Sequence, residues 1–232
     1  MTGTIIELLV AAIVFVGSHF FLSSSGLRAQ LVTRFGEKGF RALYSVLAIL
    51  LLIWMVIAYR AAPDVHLWYP LPLVIEVPLI VMPFALLFLV CGLTQPNPTS
   101  AMPGGRLPPE RPAPGILAVT RHPVLWAFGL WALSHLVASG ELGALILFAS
   151  IAFLALYGTR VLDEKKRQSW PAEDWQRFSA ATSNLPFAAM ASSRNQWRMK
   201  EIGWWRLIVT ALLYVALIGL HTYAGVPVVV DF

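Results

Sequence analysis

Charge is scarce in this 232-residue chain: Asp, Glu, Lys and Arg together make up 12%, against about 25% in soluble domains. With 58% hydrophobic residues, that scarcity excludes an ordinary water-soluble domain and points to a membrane protein. Cysteine is scarcer still. The one thiol, Cys91, excludes an intrachain disulfide, and its place in an apolar run makes it a small packed hydrophobe. The chain has no Gly-rich phosphate loop, no Ser-His-Asp order and no Cys/His zinc spacing, which removes the commonest phosphate, hydrolase and zinc-finger readings. A net charge of +5 would suggest nucleic acid only if the positive residues formed one patch on a soluble surface.

What the chain does have is six apolar stretches, residues 4–22, 41–60, 72–94, 116–139, 141–160 and 205–222. Each is long enough to cross about 30 Å of hydrocarbon at about 1.5 Å per residue. The first has no Lys or Arg before it and exceeds the roughly 7–15 residues of a signal-peptide core, so it reads as a retained helix. Of the 17 Lys and Arg, only Arg60 falls outside three alternating connections and their flanks, around 23–40, 95–115 and 160–206. The positive-inside rule puts those connections in the cytoplasm and both termini in the periplasm, as for a bacterial inner-membrane protein. The expected partner of this charge is therefore the anionic lipid surface, not nucleic acid. "QPNPTSAMPGGRLPPERPAPG" is too rich in Pro and Gly for regular structure. "SWPAEDWQRF" offers Ser169 as a cap and acids after Pro171, a helix start placed among tryptophans that settle at interfaces. The expected fold is all-α: a single domain over 1–232, a polytopic bundle of about six transmembrane helices with one short interfacial cytoplasmic helix.

Chemistry then rests on the five histidines. His66, in the short outer loop "APDVHLWYP", and His221, near the outer end of the last span, can both meet water. His19, His122 and His135 are harder to dismiss, because an ionisable side chain within lipid is costly. His122 and His135 lie on one helix but about 20 Å apart, so they cannot share a metal. His122, Trp126 and Gly129 share one face; Phe128, Trp131 and His135 share another. If "SSSGLR" continues the first helix to Arg28, His19 sits about 13 Å deep, within reach of the level of His135. Two imidazoles across a gap lined by Phe15, Phe128 and Trp131, without carboxylates or thiolates, suit bis-histidine haem iron better than zinc. Arg121 either snorkels at the interface or holds an anionic group such as a haem propionate.

"TRHPVLWAFGLWALSHLVASGELGALILF", a later "TSNLPFAA", and the N-terminal "GSHFFLSSSGLR" and "GEKGFRALYSV" resemble the NnrU family of integral membrane proteins, which includes the plant cis-zeta-carotene isomerase. The resemblance implies haem b, with His19 and His135 as its iron-linked and catalytic histidines; Arg121, His122, Phe128 and Trp131, by their own positions, are the candidate cofactor-binding residues. It also implies redox-dependent isomerisation of a lipophilic polyene, or, for bacterial members, a link to denitrification and nitric oxide metabolism. A further family histidine after the second helix has no clear counterpart near Tyr59 and Arg60. Arg121-His122-Pro123 and "DEKKRQSWPAEDWQRFSAATSNLPF" also resemble membrane methyltransferases of the isoprenylcysteine type, whose cytoplasmic half binds S-adenosylmethionine. The expectations are thus a haem b protein with isomerase or redox activity on a small or lipophilic molecule, a methyltransferase-like enzyme, or a non-catalytic factor supporting nitrite or nitric oxide reductase maturation.

Overall fold

The computed structural model describes residues 3–99, 111 and 113–226. Most of the Pro-rich connection, residues 100–110 and 112, and the end of the chain lie outside the described residues. Those described are helical, with no strand among them and one isolated bridge between His66 and Glu141. The helices are α1 (Ile5–Leu22), α2 (Ser25–Ala61), α3 (Pro72–Ile75), α4 (Val77–Thr94), α5 (Pro123–Ser139), α6 (Leu142–Ser169), α7 (Ala172–Ala181), α8 (Ala188–Ala191) and α9 (Trp204–Tyr223).

α1 shows the logic of the bundle. Thr4 caps it by accepting from the Glu7 N–H at 3.0 Å, and Leu8, Ala11, Ala12 and Phe15 make a buried stripe at the spacing of one helix face. Ile6 and Ile13, on other faces, are exposed, as side chains that meet lipid should be. The packing partners then form a row: α2 lies on α1, α1 on α6, α6 on α5, α5 on α4, and α4 on α9. Cross-links fix the two ends. At one end the Gly3 N–H donates to the Ala61 carbonyl. At the other, Lys165 Nζ donates to the Ser23 carbonyl and Arg206 Nε to Thr94 Oγ1. The second end gathers the basic connections and is called the basic end below; the first is the far end.

The apolar stretches expected to cross all fold as helices. Five spans, with α3 and α4 counted together, are long and apolar enough to cross a membrane, and α5 adds a shorter apolar helix of 17 residues. Three boundaries differ from expectation. The span expected over 116–139 starts only at Pro123, because Pro123 supplies no N–H and disfavours a helical residue before it; His122 has φ −123 and ψ 56. The loop expected over 23–40 is mostly helix. Within α2, Gly36 takes φ 71 and makes an elbow, a conformation open to glycine at little cost. Arg28 braces the elbow with two hydrogen bonds to the Glu37 carboxylate, at 2.7 and 2.8 Å. Finally, α1 does not continue to Arg28: it ends at Leu22, and Ser24 is extended before α2 begins.

The interfacial helix is α7. Its first turn carries Glu173 and Asp174, with Pro171 rather than Ser169 before it. Its Phe178 packs with Ala113 and Leu117, flanked by Trp170 and Trp175.

Candidate functional site

At the basic end, the backbone that Pro123 keeps out of α5 pairs instead with the segment after α7. The Arg121 N–H donates to the Ser183 carbonyl at 2.9 Å, and the Phe187 N–H to the Val119 carbonyl at 2.9 Å. The Asn184 carbonyl accepts from Thr120 Oγ1 at 2.7 Å and from Trp126 Nε1 at 2.8 Å. These contacts hold Arg121 and His122 under the bundle, facing α6.

His122 is 2% exposed, and its Nε2 lies 2.7 Å from Asp163 Oδ1. A carboxylate only accepts, so Nε2 carries the proton, and in the neutral imidazole the lone pair is on Nδ1. Arg121 Nε lies 3.5 Å from the other Asp163 oxygen, and its guanidinium sits 5.5 Å from the Trp175 ring. Burial pushes the pKa of Arg121 down and Arg194 adds to this, while Asp163 opposes both. His122 Nδ1, Arg121 Nε and Arg121 Nη1 are buried with no hydrogen-bond partner among the described residues. Buried polar atoms are nearly always satisfied, so His122 Nδ1 and Arg121 Nη1, together with an Arg121 Nε held only by its long contact to Asp163, make a candidate receiving site for a polar group.

Beside this cluster, α5 and α6 enclose a slot of about 840 Å³. Leu133, Leu136, Ala149, Phe153 and Leu156 line its apolar length, and Tyr157, Thr159, Arg160 and Asn184 its polar end. Leu133, Phe153 and Tyr157 are exposed on the helix surface, so the slot opens sideways, where lipid would lie. Asn184 joins slot to cluster. Its Nδ2 donates to Thr159 Oγ1 at 2.8 Å, while its carbonyl holds Thr120 and Trp126. Asp163 lies one turn beyond Thr159 on the same face of α6.

The other predicted residues lie elsewhere. His19 and His135 are not brought together. His19 packs on Phe15 and Tyr44, with ring centroids at 4.6 and 5.5 Å. Its neighbour Phe20 meets Phe153 and Tyr157 of α6. His135 lies at the level of Phe148, with centroids 5.3 Å apart, a separation of roughly 8–14 Å along α6. Phe15 and Trp131 do share one packed cluster with Met55, Ala132, Leu147 and Ile151, so side chains, not a gap, lie between the two histidines. Phe128 is 44% exposed and stands outside that cluster.

The imidazole beside His135 is His221, with ring centroids 6.4 Å apart. In each of these rings Nδ1–H donates to the carbonyl four residues back, Trp131 for His135 and Leu217 for His221, both at 2.8 Å. Nε2 is left with its lone pair, the arrangement that commonly prepares a histidine to bind a metal. Two nitrogens each about 2 Å from one ion would place the centroids about 6 Å apart. The separation of His135 and His221 is of that order, and no contact joins His19 to His135 among the described residues.

Asp163, Asn184 and His221 were not singled out from the sequence. Asp163 had a signal: it extends the buried stripe Ile151, Ala155, Thr159 by one more step of four.

A membrane-spanning helical bundle with a buried polar cluster at one end and a lipid-facing slot is the class that fold and site define. The chain belongs to the NnrU family, whose model, NnrU protein, matches residues 7–228. Among curated proteins and among solved structures, nothing matches it.

Proposed function

We propose that this chain takes a lipophilic molecule from the bilayer into the slot between α5 and α6 and acts on its polar end beside Arg121 and His122. The observation that carries this reading is the junction at Asn184 of an apolar slot with a polar cluster in which His122 Nδ1 and Arg121 Nη1 are buried without a partner among the described residues. Arg121 would hold an anionic or strongly polar group. Asp163 fixes the tautomer of His122 and leaves Nδ1 as a base, the carboxylate–imidazole half of the nucleophilic triads. The chemistry these side chains supply unaided is proton transfer: an isomerase-like shift in which a proton is taken by Nδ1 and returned to another atom of the substrate. The concentration of Lys and Arg at the basic end supports a cytoplasmic position for it in a bacterial inner membrane. A reporter inserted near Ser193 should then read as cytoplasmic.

The test is the organic extract of detergent-purified protein, read by mass spectrometry. Wild type should retain a lipophile that Ala149→Trp, which fills the slot, loses without a change in melting temperature. Arg121→Lys, which cannot present a planar fork, should retain less of it. Equal retention by wild type and Ala149→Trp overturns the reading. Retention of S-adenosylmethionine without any lipophile favours instead the methyltransferase reading.

The ring pair His135 and His221 supports a second reading, haem b as a resident group at the far end. When bound it would supply redox chemistry. The protein would contribute two imidazoles whose Nδ1–H groups are tied to the backbone, with Trp131 and Phe148 as apolar walls. Purified protein should then show a Soret band that His135→Ala and His221→Ala both alter and His19→Ala leaves. A band sensitive to His19→Ala but not to His221→Ala overturns this assignment.

A further inference from the structure

The connection after α2 meets the α5–α6 turn at the far end through main-chain bonds. The Leu67 and Trp68 N–H groups donate to the Gly140 carbonyl at 2.9 and 3.3 Å, and the Leu142 N–H donates to the Val65 carbonyl at 2.9 Å. His66 thereby stands opposite Glu141 in an antiparallel bridge. Gly140 makes the approach close. It has φ +76, and a Cβ there would lie 2.2 Å from the Trp68 carbonyl oxygen.

Three side chains converge at this junction. One ligand atom from each of Asp64, His66 and Glu141 lies within 4.8 Å of the other two, and His66 Nε2 is 3.2 Å from Asp64 Oδ1. The His66 ring stacks on Tyr69, centroids 4.9 Å apart and planes at 19°, which fixes the plane in which its nitrogens point. Glu141 sits at the N-cap of α6 yet makes no capping hydrogen bond; its carboxylate lies with the other two groups instead.

We propose that Asp64, His66 and Glu141 form a site for a divalent transition ion of borderline softness, zinc above all. Two carboxylates and a neutral imidazole are a donor set that a doubly charged ion neutralises. Ligand atoms about 2.1 Å from a tetrahedral zinc stand about 3.4 Å from one another, so side-chain rotation alone can close this set. The donors come from segments far apart in sequence, and the ion would clamp the end of α2 to the α5–α6 turn. Three protein ligands leave a fourth position for water or an outside donor. The site lies at the opposite end from the Arg121 cluster and stands or falls independently of it.

The experiment is calorimetric titration of Zn²⁺ into full-length protein in detergent, purified through a tag without histidine. One saturable site is expected, with a rise in melting temperature on zinc addition. His66→Ala and the near-isosteric Glu141→Gln should each weaken binding by about tenfold or more, and remove the rise. Co²⁺ in place of Zn²⁺ should give visible d–d absorption that the same variants lose. His135→Ala and His221→Ala should leave binding unchanged. Absence of saturable binding, or binding that Glu141→Gln does not weaken, overturns the proposal, and Glu141→Gln decides the matter should His66→Ala fail to fold.

Discussion

The two ends of α5 handle buried polarity in opposite ways. At the basic end, His122 and Arg121 depend on Asp163, Ser183 and other groups from distant segments, and His122 Nδ1 and Arg121 Nη1 remain unpartnered among the described residues. At the far end, His135 is served by its own helix through the Trp131 carbonyl. Distant partners make the first end fragile to the loss of one group. Local partners make the second end tolerant, because the ring's hydrogen bonds, to the Trp131 carbonyl and Ser134, lie within its own helix and leave with it.

The largest test of that contrast is Asp163→Ala. It leaves an imidazole and a guanidinium buried without their carboxylate, and should lower stability by about 2–3 kcal/mol, read as a drop in melting temperature in detergent. Asp163→Asn, which keeps an acceptor, should lose less. Next comes Gly140→Ala, expected to cost about 1–2 kcal/mol, because alanine resists φ +76 and its Cβ would displace the Trp68 carbonyl. Trp126→Phe removes one donor to the Asn184 carbonyl, and a loss near 1 kcal/mol would separate the value of one stitch from that of the charged cluster. Smallest should be His135→Ala in apo-protein, within about 1 kcal/mol of wild type. A loss from His135→Ala as large as that from Asp163→Ala would erase the distinction between the ends.

The same division decides what could be read from the sequence. Crossing a membrane is a local property of apolar length, so the apolar helices were legible, and so was a helix start after Pro171. The arm of α2 before Gly36 was not, because residues 25–40 carry Arg28, Arg34, Glu37 and Lys38 and read as a solvated loop. An amphipathic surface helix has that same composition. Arg121 and His122 were legible as polar groups at the mouth of a span, whereas their partner lay 41 residues on. Choosing a partner depends on rotation about a helix axis, which only packing sets. Depth alone misled: the pairing of His19 with His135 assumed a first helix running to Arg28, and the break at Ser23–Ser24 leaves the two rings at different levels.

Pro123 carries one more consequence, for the order of events during synthesis. Because it frees residues 119–121 from α5, the Arg121 N–H and the Val119 carbonyl have no partner until Ser183 and Phe187 arrive. Asp163 emerges some forty residues after His122, at the end of the next span. A nascent chain thus inserts α5 with Arg121 and His122 unmatched, and first meets their carboxylate when α6 follows. The stitches from 183–187 close last, after α7 is made. Assembly of the cluster is therefore a late event in biogenesis, and a chain stopped after α6 would hold all the apolar spans but α9 with its polar end still open.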